Sequence, residues 1–340
     1  MKKILLFTAL ALIISCSSSK NTAHNISKNP VLNTINATVF ANSITPADLK
    51  KHLYILASDD FEGRNTGEPG QKKAADYIKD FYISQNIPSP YGGEDYFQSI
   101  PTEHLKPKLK PSENVVAFIK GTEKPEEVVV ISAHYDHLGT KNDKIYNGAD
   151  DDGSGTVAVM EIAKAFQKAT NSGYGPKRSI LFLHVTGEEK GLLGSKYYTN
   201  FPIFPLEKTV TNLNIDMIGR VDNAHQDNPN YVYVIGSDKL STELHNISEK
   251  INATYTNLNL DYTYNDDEDP NRFYYRSDHY NFAKNNIPII FYFNGTHDDY
   301  HKPTDTPDKI DYELLAKRTQ LVFYTAWEVA NREQRIIVDK

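Results

Sequence analysis

Six short runs of β-branched and aromatic residues recur along the chain, spaced by longer segments whose apolar positions return every three or four residues. The short runs lie at Asn114–Ile119, Val128–Ser132, Ser179–Val185, Thr211–Ile215, Tyr231–Ile235 and Ile289–Phe293. Their length and composition predict strands. Helical spacing opens at Thr45 and runs through Leu53, Ile55 and Leu56. It returns from Gln71 to Ser84 on Ala74, Ala75, Ile78, Phe81 and Tyr82, and after Gly155 on Val157, Met160, Ile162 and Phe166. Further helices are predicted to start at Gly187 to Ser195 and to run from Tyr312 to Val329. Apolar strands alternating with amphipathic helices indicate an α/β fold, a three-layer α/β/α sandwich around a mixed, largely parallel sheet. No internal repeat and no second boundary interrupts the pattern, so 44–340 is expected to be a single domain.

The first residues change the picture of where that domain resides. Lys2 and Lys3 precede an apolar run from Ile4 to Ile14, too short to span a bilayer, and then Ser15 and Cys16. The stretch Ile13-Ile14-Ser15-Cys16 resembles the lipobox of a bacterial lipoprotein, which makes 1–15 a signal peptide and Cys16 the lipidation site. Cys16 is the only cysteine, so no disulfide is possible within the chain. Residues 16–43 are rich in Ser and Asn and read as a flexible tether. The expected location is the cell envelope, anchored on the periplasmic face of an outer membrane or exposed at the surface. The formal charge of −7 becomes −9 once Lys2 and Lys3 leave with the signal. With no basic stripe on the chain, nucleic acid is excluded as a partner.

Chemistry concentrates just beyond the carboxyl ends of the predicted strands, where open α/β sheets place their sites. His134 and Asp136 follow the strand ending at Ser132, Glu188 and Glu189 the one ending at Val185, and Asp216 closes the one ending at Ile215. His301 lies in the loop after Phe293. The glycine-flanked triplet Asp150, Asp151 and Asp152 sits before a helix. Alone, the triplet reads equally as a helix cap with a solvated turn; the alternating ligand spacing of a calcium loop is absent. Any one of these side chains could be structural. Together they bring two imidazoles and several carboxylates to one sheet edge, for which coincidence is a poor account. Outside these positions, His137 and His297 flank the motifs, His184 lies inside a strand, and His52, His225 and His245 stand alone. The acidic stretch Asn265-Asp-Asp-Glu-Asp-Pro270 reads as a solvated loop, with the lining of a pocket mouth that favours cationic substrates as the alternative.

Taken together, His134-x-Asp136, Gly148-Ala-Asp-Asp-Asp-Gly-Ser-Gly155, Gly187-Glu-Glu189, Asp216 and Tyr300-His-x-x-x-Asp305 resemble the di-zinc aminopeptidases of peptidase family M28. Leu56-Ala-Ser-Asp-Asp-Phe-Glu-Gly-Arg64 and Arg276-Ser-Asp-His279 are similar to further stretches of that family. The resemblance implies a zinc-dependent exopeptidase fold and two zinc ions, one on His134 and Asp216, the other on Glu189 and His301, bridged by Asp150. It implies Asp136 as the residue orienting His134, with Asp151 and Asp278 as supports. Glu188 is implied as general base, and Tyr300 and Arg276 as groups that stabilise the oxyanion and hold the peptide. The implied substrates are peptides with a free N-terminus. Glutaminyl cyclases share this fold, but resemble Gly-Ala-Thr-Asp-Ser and carry Trp where this chain has Tyr300. Carboxypeptidase or dipeptidase action is left open by the same motifs. Receptor ectodomains that keep this fold without metals are a further alternative, against which the full set of acids and histidines stands.

Overall fold

The computed structural model describes residues 37–340; the expected signal peptide, Cys16 and most of the expected tether lie outside the described residues. The folded body begins earlier than expected. Residues 37–41 are helical, and Ala37, Phe40 and Ala41 are buried. Their i, i+3, i+4 spacing gives one short apolar face, and the Phe40 ring packs 5.7 Å from Trp327 and 6.0 Å from Tyr174. The last seven residues assigned to the tether therefore belong to the domain.

Among the described residues seven further α-helices follow: α1 Pro46–Leu56, α2 Pro69–Ser84, α3 Gly155–Asn171, α4 Leu193–Asn200, α5 Thr242–Ile251, α6 His279–Ala283 and α7 Tyr312–Asn331. The strands are β1 Phe97–Ile100, β2 Ser112–Ile119, β3 Lys124–His134, β4 Gly139–Lys141, β5 Lys144–Tyr146, β6 Arg178–Val185, β7 Thr209–Ile215, β8 Tyr231–Ile235, β9 Asn259–Asp261 and β10 Ile289–Phe293. Eight of them form one sheet in the order β1-β2-β6-β3-β7-β10-β8-β9, while β4 and β5 make a separate hairpin. The four central strands β6, β3, β7 and β10 run parallel, and the antiparallel pairs are β1 with β2, β2 with β6, and β10 with β8. The sheet is mixed and largely parallel, as expected.

Both faces of the central strands are covered, which is why their sequences are nearly continuous apolar runs. Val129, Ile131, Ile180 and Phe182 face the larger core, which α1, α2, α3 and α7 close. Val128, Val130, Leu181 and Leu183 face the opposite core with Tyr198 from α4 and Phe282 from α6. Phe166 of α3 stacks on Phe323 and Trp327 of α7, fixing two helices on one face of the sheet. Because the four central strands are parallel, all their carboxyl ends emerge at the same edge. The element expected to start at Gly187 begins later, at Leu193, because Gly187 and Leu192 take left-handed backbone angles and Gly187–Leu192 forms a turn.

Candidate metal centre

Each of the four parallel strands delivers one part of the cluster. His134 is the last residue of β3, Asp216 follows β7, Glu188 and Glu189 follow β6 by a tight turn, and Tyr300 and His301 lie in the loop after β10. The acidic turn between β5 and α3 supplies the remaining carboxylate, but not the one the sequence suggested. Asp151 Oδ1 lies 3.2 Å from His134 Nε2, and Asp151 Oδ2 lies 3.0 Å from His301 Nε2. Asp150 points elsewhere: its Oδ1 accepts from the Gly219 amide at 2.6 Å and its Oδ2 faces His297 Nε2 at 3.2 Å.

Backbone direction explains the exchange. Asp151 leaves the helical backbone of the turn (φ −100, ψ 100), and its side chain departs in a different direction from those of its neighbours. Asp150 and Asp152 accordingly both meet the loop after β7, Asp150 at Gly219 N and Asp152 at Met217 N. Asp151, between them, faces the histidines. Asp152 also accepts from the amides of His134 and Gly155, tying β3 to the start of α3. The support role expected of Asp151 thus falls to Asp150 and Asp152. The turn is held from outside by the Asp305 carboxylate, which accepts from the Asp150 and Asp151 amides, and by buried Arg64, which donates to the carbonyls of Leu56, Tyr135, Asn147 and Gly148.

The other expected positions divide similarly. His134 Nε2 is 3.6 Å from Asp216 Oδ1, whose second oxygen accepts from the Ser277 hydroxyl at 2.7 Å. His301 Nε2 is 3.4 Å from Glu189 Oε1. Asp136 does not orient His134 through its carboxylate: His134 Nδ1 sits 3.0 Å from the Asp136 carbonyl oxygen and 3.9 Å from Oδ1. That carboxylate instead accepts from Thr66 Oγ1 and from the Glu188 amide, so it sets the position of Glu188. Asp278 is buried and accepts from the Ser195 hydroxyl, beneath the turn that carries Glu188. The stretch Asp266–Glu268 is exposed to solvent, as expected, while Asp269 folds back to cap the Phe273 amide.

Two donor groups result: His134, Asp151 and Asp216, and His137, Asp151 and Glu189. His137 was missed because it was weighed as a flanking residue; its offset of three from His134 was the available signal. His134 Nε2, Glu189 Oε1 and both nitrogens of His137 are buried without a hydrogen-bond partner, and buried polar atoms rarely stay so without a reason. A cation in each group satisfies these atoms, so the residues fit divalent metal.

Electrostatics point the same way. Burial opposes charge on His134, yet Asp216, Glu188 and Asp151 hold its pKa well above the usual range. Burial likewise opposes the Asp151 carboxylate, but His137, His134 and His301 keep it well below the ordinary value. Despite burial, contacts to Asp151 and Glu189 lift His301 to about 10. Glu189 is held down to about 2 by His137 and His301, against burial and the charge of Asp151. Glu188 differs from these carboxylates. Burial lifts its pKa well above the ordinary value; His134 opposes this, while Asp216, Asp278 and Glu189 add to it. Burial thus biases Glu188 to take up a proton, as it does Asp152 and Asp278 behind it.

Above the cluster lies a cleft of about 40 Å³, floored by Asp151, Glu188 and Asp216 and walled by Met217, Phe273, Phe291 and Phe293. Tyr300 and Arg276 stand at its rim. The Tyr300 ring stacks on His301 at 3.9 Å, and Arg276 lies over Phe273 at 4.8 Å. Burial, then Asp151 and Asp216, raise the Tyr300 pKa, so its hydroxyl keeps its proton.

Residues 114–326, well over half the chain, match the model of peptidase family M28. A probable leucine aminopeptidase of Trichophyton verrucosum is 30% identical over 230 residues, covering 65% of this chain. The chain spans 58% of that relative's length. LapB from Legionella pneumophila shares the fold at a TM-score of 0.68 and 23% identity, over 86% of this chain and 74% of that one. Glutaminyl cyclase from Porphyromonas gingivalis does so at 0.66 and 18%, over 83% and 97%. With the family's model extending across all four strand ends that build the cluster, the chain belongs to peptidase family M28.

Proposed function

We propose that this protein is a di-zinc aminopeptidase that removes residues from the N-termini of peptides. One observation carries the reading: the two oxygens of Asp151 face His134 on one side and His301 on the other, with Asp216 and Glu189 completing the two donor groups. Two zinc ions there, on mixed imidazole and carboxylate donors, would polarise a scissile carbonyl and lower the pKa of a water between them. Glu188 Oε2 lies 4.0 Å from His134 Nε2 at the floor of the cleft. It takes the proton of the attacking water and returns it to the leaving amine. The protonated Tyr300 hydroxyl donates to the carbonyl oxygen as negative charge develops there, and Arg276 holds the peptide chain beyond. Carboxylates crowd the floor of the cleft and suit a free α-ammonium group. Its small aromatic wall suits the apolar side chain of a terminal residue such as Leu or Met.

Chromogenic aminoacyl amides of Leu, Met, Phe and Lys test the reading, with chelator and with zinc restored. The expected result is chelator-sensitive release, fastest for Leu and Met. Glu188→Gln should keep both ions and lose about 100-fold or more in turnover; near-normal turnover would remove Glu188 as the base. Cyclisation of glutaminyl peptides without amide hydrolysis would instead favour the cyclase reading. Release only from the C-terminus of blocked peptides would favour a carboxypeptidase. Anchoring through lipid at Cys16, facing the periplasm, completes the proposal; among the described residues no helix is long and apolar enough to cross a membrane. Fatty-acid labelling of the full chain in cells, abolished by Cys16→Ser, is its test.

A further inference from the structure

We infer that His137 is a fourth protein ligand of the second cation position, its Nδ1 joining Asp151, Glu189 and His301. The inference rests on the two-ion reading above. His137 is fully buried, and its amide donates to the Arg64 carbonyl, which pins the backbone against the Arg64 turn. Its ring lies under Gly148, a residue at φ +53 whose absent Cβ would fall 2.4 Å from the His137 Cγ. Only glycine allows the acidic turn to rest on the imidazole this closely. The ring is thereby fixed in place beside the cluster, edge-on to His301 with ring centres 5.9 Å apart.

Nδ1 lies 2.9 Å from Glu189 Oε1 and 3.8 Å from Asp151 Oδ2. The short contact is not an aligned hydrogen bond: Nδ1 and Glu189 Oε1 both remain without a partner. Two ligands of one tetrahedral ion at ordinary Zn–N and Zn–O lengths sit roughly 3.3 Å apart, and the separations of Nδ1 and of His301 Nε2 from the two carboxylates scatter around that value. The donor atoms of His137, Asp151 and Glu189 all lie within 4.8 Å of one another, and an ion between them satisfies both orphaned atoms at once. The two ion positions then differ in kind. The first has three protein donors, His134, Asp151 and Asp216, and opens toward Glu188. The second has four, two of them the buried His137 and Asp151, and so holds its ion with more protein donors than the first. The geometry therefore assigns one ion to be retained and the other to be exchanged.

The test uses the full chain and counts ions per protein after equilibration against graded chelator, with Co²⁺ substituted for absorption spectra. Wild type should show two separated binding steps. His137→Ala should weaken the tighter step by more than the roughly 10–100-fold that loss of an outer hydrogen-bonding partner causes, leaving the other step in place. His137→Cys adds a positive signature: a sulfur ligand brings an intense thiolate-to-cobalt absorption in the near ultraviolet, against a wild type whose only cysteine is Cys16. An unchanged tighter step in His137→Ala, or no such band in His137→Cys, overturns the ligand assignment. A wild type that binds fewer than two ions overturns the underlying two-ion reading instead.

Discussion

Asp150 and Asp151 are adjacent, buried and chemically identical, yet the turn gives them separable consequences. Asp151→Asn keeps the side-chain volume and replaces one donor oxygen by an N–H₂ group that faces a histidine at about 3 Å or the cation itself. The bridging charge goes from both donor groups at once. Several kcal/mol of electrostatic stabilisation are lost, on the order of a thousandfold in rate, and the count of ions per chain should fall below one, against the two proposed for wild type. Asp150→Asn removes instead a charged acceptor from the Gly219 amide at 2.6 Å and the charge that faces His297 at 3.2 Å. Hydrogen bonds to charged groups contribute about 1.5–3 kcal/mol, which for a domain of this size lowers the melting temperature by about 2–5 °C. Its ion count should stay at two. Elemental analysis after dialysis and thermal unfolding of the two variants, made side by side, decide the matter. Loss of ions in Asp150→Asn with retention in Asp151→Asn would refute the geometry of the turn and restore Asp150 as the bridge.

Arg64→Ala should destabilise the protein by more than 3 kcal/mol, measured by urea unfolding, because four carbonyls lose a buried charged donor; Arg64→Lys should rescue little, since an ammonium cannot reproduce the planar fork. Deleting residues up to Ser43 should cost at least the roughly 3–5 kcal/mol expected for losing a buried aromatic side chain such as Phe40, read as a fall in the urea midpoint. Stability should also fall on acidification below about pH 6.5. Burial pushes His184 and His279 down to about 3, so both are neutral in the folded chain while the unfolded chain binds a proton at each. A depressed folded pKa gives stability that is complete above the unfolded value near 6.5 and drains away toward pH 3, at about 1.4 kcal/mol per pH unit for each histidine. His184→Gln should flatten the measured slope by one proton, and an unchanged slope would remove His184 as a contributor.

Much of this was legible before any coordinates. The predicted strands β8 and β10 are found at Tyr231–Ile235 and Ile289–Phe293, and the others extend by only a few residues, because strands covered on both faces leave an unbroken apolar signature. The edge strands β1 and β9 and the hairpin of β4 and β5 lack that signature, since they are short and partly exposed. The site was readable to the level of loops: His134, Glu189, Asp216 and His301 converge as the parallel sheet requires. Which of three consecutive aspartates faces the histidines was not, because that choice depends on the local backbone angle at Asp151 rather than on residue type. His137 was obscured for a related reason. Its role follows from the turn of chain at Asp136 that brings it back beside Glu189, a geometry with no periodicity to betray it.

The contacts that shape the acidic turn also set the distances between donors. Asp305 sits four residues after His301, and its carboxylate accepts from the amides of Asp150 and Asp151 while its carbonyl accepts from Ala149. The loop carrying one imidazole is thereby clamped to the turn carrying the bridging carboxylate. Asp152 does the same for the other side, joining that turn to the His134 amide at the end of β3 and to the Met217 amide beside Asp216. Asp136 extends the linkage to Glu188 through its amide. The segments that carry His134, Asp151, Glu188, Asp216 and His301 are therefore spaced by carboxylates bonded to backbone N–H groups, not by flexible side chains meeting one another. Carboxylates that accept from backbone amides resist displacement and keep their geometry without an ion, so cations enter a site whose spacing is already fixed. That accounts for the abundance of acids in these loops: Asp136, Asp150, Asp152 and Asp305 position the cluster, and Asp151, Glu188, Glu189 and Asp216 are the acids to which the proposed reaction gives its chemistry.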